Sequence, residues 1–147
     1  IYNKQLVDID KLIVSDTGMH IPEIFEDSGE GGFRKIETNT LMRISKSLSL
    51  AISTGGGTVL NAKNIDYLKQ NGIIIFLDVP LEVLKKMNPR NRPLLKDINS
   101  LTKLYNDRHH LYLKYANIVI NKTDMDENYI LNMIEVKINE YINTKWS

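Results

Sequence analysis

Apolar residues are distributed along this chain in two alternating rhythms. Short, nearly unbroken runs occur at Leu6-Val7, Leu48 to Thr54, Ile73 to Leu77 and Ile118-Val119-Ile120. Between them, apolar positions recur at helical steps, as in Leu101, Leu104, Tyr105, Leu111, Tyr112 and Tyr115. Strand-like runs alternating with helical patterns indicate an α/β protein, and uniformly apolar strands suit a parallel sheet covered on both faces. The pattern predicts strands over residues 5–9, 48–54, 73–78 and 117–121. It predicts helices over residues 21–27, 30–46, 61–70, 81–87, 101–115 and 126–141. Pro22 suits a first helical turn, Ser15-Asp16-Thr17-Gly18 reads as a turn, and Asn71-Gly72 as a helix C-cap. Residues 88–100 read as a loop rich in Pro, Asn and charge.

Composition narrows the functional classes. A length of 147 residues suits a single domain with a real core, spanning residues 1–147. A net charge of +1 supplies no field for nucleic acid and no polybasic membrane patch. The longest clean apolar run, Ile73 to Leu77, is far short of a membrane span. There are no cysteines, so disulfides, zinc–thiolate sites and thiol nucleophiles are excluded. The expected location is the cytoplasm.

Gly55-Gly56-Gly57 closes the second apolar run. Three consecutive glycines are costly to order, and at a strand end they imply positive φ or a close approach of backbone to another group. In α/β proteins ligands sit at the carboxyl ends of strands. A plain Gly-rich turn is the alternative.

Several charged residues stand in unexpected places. Period-two alternation puts Asp8 and Asp10 on one face at the end of the first strand. Two carboxylates so placed repel unless a cation or proton lies between them, which suggests one metal-associated acid and one general base or hydroxyl acceptor. Helix capping by Asp10 is the alternative. Arg108 stands inside the apolar stripe of its helix. A buried guanidinium requires an anionic partner, either a protein carboxylate or the carboxylate or phosphate of a ligand. His109 and His110 fall beside the stripe and read as surface residues. Arg34 is one helical step from Glu37, as a surface ion pair or as a guanidinium oriented toward a substrate. Arg92 precedes Pro93 on a loop, where a cation can close over phosphates or simply remain solvated.

Taken in order, these segments resemble shikimate kinase along essentially the whole chain. The resemblance rests on Asp8-Ile9-Asp10, Gly18 to Phe25, Gly29 to Glu37, Ser53 to Gly57, Arg92-Pro93-Leu94-Leu95 and Arg108 to Tyr112. It implies a P-loop-kinase-like parallel sheet with helices on both faces and a family strand order 2-3-1-4-5. It implies transfer of a phosphoryl group from ATP, with magnesium, to the 3-hydroxyl of shikimate, in aromatic amino-acid biosynthesis. Asp10 would bind a shikimate hydroxyl and act as or assist the base, and Asp8 would act on Mg2+. Arg34 and Arg108 would hold the shikimate carboxylate against Gly55, Gly56 and Gly57, with Phe25 and Phe33 lining the pocket. Arg92, from a lid over residues 86–100, would steady the transferring phosphoryl group, and Lys85 or Lys86 would stand for a family arginine at the nucleotide. The partners implied are shikimate and ATP or ADP, with the protein a monomer.

The sequence departs from the family in one major respect: it contains no Gly-x-x-x-x-Gly-Lys-Ser/Thr. In the family that loop precedes the Asp-x-Asp strand, between the first strand and first helix. The chain therefore reads as lacking strand 1 and its P-loop, a stretch of roughly two dozen residues, and as inactive without them. A non-catalytic, shikimate-binding paralogue is the alternative.

Overall fold

The computed structural model describes residues 3–86, 97–123 and 126–146. The order of elements is β1 (Gln5–Asp8), α1 (Ile9–Thr17), α2 (Ile21–Ile44), β2 (Leu50–Ser53), a 3-10 turn (Thr58–Leu60) and α3 (Ala62–Asn71). Then follow β3 (Ile75–Asp78), α4 (Leu81–Leu84), α5 (Ile98–Tyr115), β4 (Ile118–Asn121) and α6 (Glu127–Trp146). Each strand has four residues, because the predicted apolar runs extend past the stretch that pairs.

Two parallel strand pairs form. β1 lies on β2 with Gln5 opposite Leu50 and Asp8 opposite Ser53. β3 lies on β4 with Ile75 opposite Ile118 and Asp78 opposite Asn121. Among the described residues the pairs are not hydrogen-bonded to each other. That is the arrangement that order 2-3-1-4-5 gives when strand 1 is left out, so the expected α/β parallel architecture is found.

The clearest difference from the sequence reading lies at residues 9–17, expected as a strand end and a turn and found as α1. Asp8 ends β1 and caps this helix, its Oδ1 accepting from Lys11 N at 3.2 Å. Gly18 closes it with φ 71° and an N–H donated to Val14 O at 2.9 Å. The N-cap is therefore Asp8, not Asp10. Asp10 belongs to the first helical turn, so the two carboxylates do not share a strand face. The helices expected over 21–27 and 30–46 meet as one element kinked at Gly29, with φ 70° and ψ −177°. That conformation is essentially restricted to glycine. Gly72 ends α3 with extended backbone, φ −149°, rather than a left-handed cap.

Two apolar clusters hold these elements. Ile9, Ile13, Ile24, Phe33 and Leu41 join α1 to α2 beneath β2 residue Ile52. Ile118, Ile120 and Ile130 join β4 to α6. No helix among the described residues is long and apolar enough to cross a membrane.

Candidate active site

A cleft of about 370 Å³ opens at the carboxyl ends of β1 and β2. One wall comes from α1, α2 and the segment after β2, with Asp10, Phe25, Phe33, Arg34, Glu37 and the three glycines. The other comes from α5, with Leu101, Leu104, Tyr105, Arg108 and Tyr112, and Leu84 of α4 adds to it. Thus the structure brings Asp10, Arg34, Arg108, Phe25, Phe33, Gly55, Gly56 and Gly57 together around one cleft.

The glycines serve close approach, not unusual dihedrals. Positive φ among the glycines belongs to Gly18 and Gly29, not to this segment. A Cβ on Gly55 would lie 3.7 Å from both Asp10 Oδ1 and Glu37 Oε2. On Gly56 it would stand 3.0 Å from the Tyr112 hydroxyl and 3.7 Å from an Arg108 terminal nitrogen. On Gly57 it would overlap the Arg34 guanidinium. The backbone thus runs at side-chain range from every charged group of the cleft.

Arg34 is fixed from several sides. One terminal nitrogen donates to Glu37 Oε1 at 3.0 Å, and the other to Glu30 Oε1 at 3.3 Å. Its guanidinium carbon lies 5.2 Å from the Phe33 ring centroid. Phe33 in turn packs on Phe25, ring centroids 5.0 Å apart. Glu37 is fully buried, so the Arg34–Glu37 pair is not a solvated helix-face pair. Glu37 Oε2 accepts from the Thr58 hydroxyl at 3.2 Å, and Asn64 donates to Thr58 O at 3.0 Å. This relay ties α2 to the glycine segment and α3. Arg34 Nε is buried without a hydrogen-bond partner among the described residues. Thr58 escaped the sequence reading; its signal was a hydroxyl directly after three glycines.

Arg108 is 9% exposed and forms no ion pair with a carboxylate among the described residues. Of the two partners a buried arginine can have, the protein carboxylate is not supplied by those residues. Beside it, the Tyr112 hydroxyl donates to Gly56 O at 2.6 Å and pins α5 to the glycines.

Enclosure raises the Asp10 carboxyl above its ordinary value, the neighbouring Asp8 charge adds to this, and Arg34 opposes it. Burial likewise raises Glu37, against the charge and hydrogen bond of Arg34 and the Thr58 hydroxyl. The carboxylates of Asp10 and Glu37 and the guanidinium groups of Arg34 and Arg108 therefore line one cleft, with Phe25, Phe33, Leu101 and Leu104 as its apolar lining.

Other expected residues lie differently. Asp8 does not line the cleft but sits beside Asp10, one oxygen capping α1. Among the described residues no group of three or more His, Cys, Asp or Glu could hold a metal. Asp8, whose second oxygen has no hydrogen bond among the described residues, fits Mg2+, which retains several waters and takes one or two carboxylates. Lys85 pairs with Glu82 at 3.1 Å and does not line the cleft. Arg92 and most of the expected lid over 86–100 lie outside the described residues. His110 is exposed as expected. His109 is not: its Nε2 lies 3.1 Å from both Asp78 carboxylate oxygens, and its ring stacks on Tyr105 at 4.7 Å.

Comparison with known proteins accords with this geometry. The family model for shikimate kinase matches residues 1–139. A shikimate kinase of Sulfurihydrogenibium is 40% identical over 139 residues, covering 92% of this chain and 83% of that protein. The structure of shikimate kinase from Acinetobacter baumannii in complex with shikimate is similar with a TM-score of 0.83 and 32% identity, covering 98% of this chain and 82% of that one. The Aquifex aeolicus shikimate kinase structure is similar with a TM-score of 0.80 and 31% identity, covering 93% and 82%. On the family model, the relatives and the solved structures alike, the chain belongs to the shikimate kinase family.

Proposed function

We propose that the cleft binds shikimate and presents its 3-hydroxyl for phosphorylation by ATP, giving shikimate 3-phosphate and ADP. The observation that carries this is Arg108, buried in the cleft wall with no carboxylate partner among the described residues. A ligand carboxylate in a bidentate fork would satisfy it, with Arg34 on the opposite wall held ready by Glu37 and Glu30. The similar Acinetobacter structure is a complex with shikimate, which supports the same ligand here. The glycine backbone allows the substrate ring to lie close, and Phe25 and Phe33 supply apolar lining for it.

Asp10 accepts a hydrogen bond from the reacting hydroxyl and takes its proton as the phosphoryl group transfers. Its raised pKa makes it a better proton acceptor than an ordinary aspartate. Asp8 would hold Mg2+ through water, and the ion would supply neutralisation of phosphate charge. Arg92 and Lys85 serve the phosphates and the nucleotide in this reading. The protein works as one domain, as a monomer, in the cytoplasm and in the route to aromatic amino acids.

The 147 residues contain no Gly-x-x-x-x-Gly-Lys-Ser/Thr. On this reading a polypeptide of these residues alone gives no shikimate-dependent ATP turnover in a coupled assay, because the ring of amides that cradles the phosphates is not among them. The test of the whole reading is Asp10→Asn in the full-length protein. Turnover falls by about a hundredfold or more, with folding and shikimate affinity largely kept. Near-normal turnover in a folded Asp10→Asn protein would exclude Asp10 as the base.

A further inference from the structure

We propose that His109 and Asp78 are positioning residues for Arg108, setting affinity for the substrate carboxylate from outside the cleft. The inference rests on the shikimate reading above. Asp78 is the last residue of β3, and His109 follows Arg108 on α5. His109 Nε2 is equidistant, at 3.1 Å, from both Asp78 oxygens. An ionised carboxylate only accepts, so Nε2 carries the proton and donates. Neither residue lines the cleft.

An aromatic packet surrounds this bond. Tyr105, one turn earlier on α5, stacks on the imidazole with planes 19° apart. Phe76, two residues before Asp78 on β3, meets the imidazole edge-on at 5.8 Å and packs on Tyr112 at 5.0 Å. Tyr112 then reaches Gly56 O. Arg108 is thus held between two anchors of its own helix, one on β3 and one on the glycine segment.

The geometric consequence is specific. The Tyr112 bond fixes how far α5 stands from the glycines, but a side chain that reaches one carbonyl bears on the helix from one direction and resists rotation about its axis only weakly. The His109–Asp78 bond lies about 100° around the helix from Arg108, given 3.6 residues per turn, and stops that rotation. A small rotation carries a guanidinium fork out of register with a carboxylate, while leaving nucleotide contacts elsewhere unaffected.

The test compares full-length wild type, His109→Ala, His109→Gln and Arg108→Ala by steady-state kinetics and by titration with shikimate. Gln is the conservative variant, since its amide nitrogen reaches about as far as Nε2 and can donate to Asp78. The expected result is a rise of about tenfold in shikimate KM for His109→Ala, with ATP KM and kcat within about twofold, and recovery of most of that loss in His109→Gln. Equal changes in both KM values, or no recovery by Gln at equal melting temperature, would overturn the proposal. If His109→Ala does not fold, the Gln variant and Asp78→Asn decide. Asn keeps one oxygen acceptor, so both should retain shikimate KM within about threefold while Asp78→Leu, which removes the acceptor, raises it about tenfold; a larger loss in both Gln and Asn, or an unchanged KM in a folded Asp78→Leu protein, overturns the proposal. Arg108→Ala separates the two readings: if it leaves shikimate binding intact, the carboxylate clamp is wrong and this proposal fails with it. If it abolishes binding while His109→Ala is silent, only the positioning role fails.

Discussion

The region around β1 and β2 and the region around β3 and β4 use the same parallel pairing but are packed to different degrees. Among the described residues, the large side chains buried to below 2% exposure, Ile9, Ile13, Ile24, Leu41, Glu37 and Asn64, belong to the first region. The second is built on Ile118, Ile120 and Ile130, with half-buried neighbours from α6 around them. The first region also contains a buried polar relay from Arg34 through Glu37 and Thr58 to Asn64, with no counterpart of that depth in the second among the described residues. The difference shows how one cleft can be assembled from unequal parts. A rigid wall presents Asp10, Arg34 and the glycines, and a less deeply packed wall brings Arg108 to them on a helix tied by a few side-chain bonds.

The comparison is open to attack at four points. The largest effect is expected for Glu37→Ala, which leaves part of Arg34's charge uncompensated in a buried relay. Denaturant unfolding should show a loss of about 3–5 kcal/mol. A loss below about 1 kcal/mol would mean the relay is not the rigid element claimed here.

Ile13→Ala and Ile130→Ala test the packing contrast directly. Ile13 should cost about 4 kcal/mol and Ile130 about 2 kcal/mol, within the range for truncating a buried isoleucine. Equal costs by the same unfolding measurement would remove the contrast between the regions.

Arg108→Lys tests the second wall. Replacing the fork by a point charge should weaken shikimate binding by about 1–3 kcal/mol in titration calorimetry, with ATP affinity unchanged. Equal losses for the two ligands would assign Arg108 to stability rather than to recognition.

The smallest effect concerns Asp10 and pH. Its pKa is raised in the folded protein, first by enclosure and then by Asp8. The folded state therefore binds this proton more tightly than the unfolded state does, and ionisation at higher pH costs stability. Asp10→Asn should melt slightly above wild type at neutral pH. The gap should close as pH falls toward 3.8, the ordinary aspartate value. A gap that widens on acidification would contradict the raised pKa.

Much of this was legible in the sequence because it depends on local pattern. Apolar runs located all four strands, and the stripe on α5 singled out Arg108 as a charge on an inward face. Both ends of α1 were also written in the chain, as Asp8 and Gly18, yet the helix was missed. Ser15-Asp16-Thr17 are weak helix formers and look like a turn when read without their caps. Missing α1 misplaced Asp10 by one element. His109 was misread for another reason: its partner Asp78 is 31 positions away, and periodicity shows which face a residue occupies but not what stands opposite it.

Gly57 has a consequence for anyone trying to make this protein more robust. Its backbone is ordinary, φ −87° and ψ −3°, a conformation any residue adopts. By the usual engineering rule such a glycine is a candidate for Ala, with a gain of about 0.4–1 kcal/mol from a stiffer unfolded chain. A screen based on dihedrals would therefore select it. The Arg34 guanidinium occupies the space the new methyl group needs, so the substitution would displace an arginine of the cleft to gain a fraction of a kilocalorie. Gly57 is reserved by volume rather than by torsion, and thermostabilising libraries for this fold should exclude it on that ground.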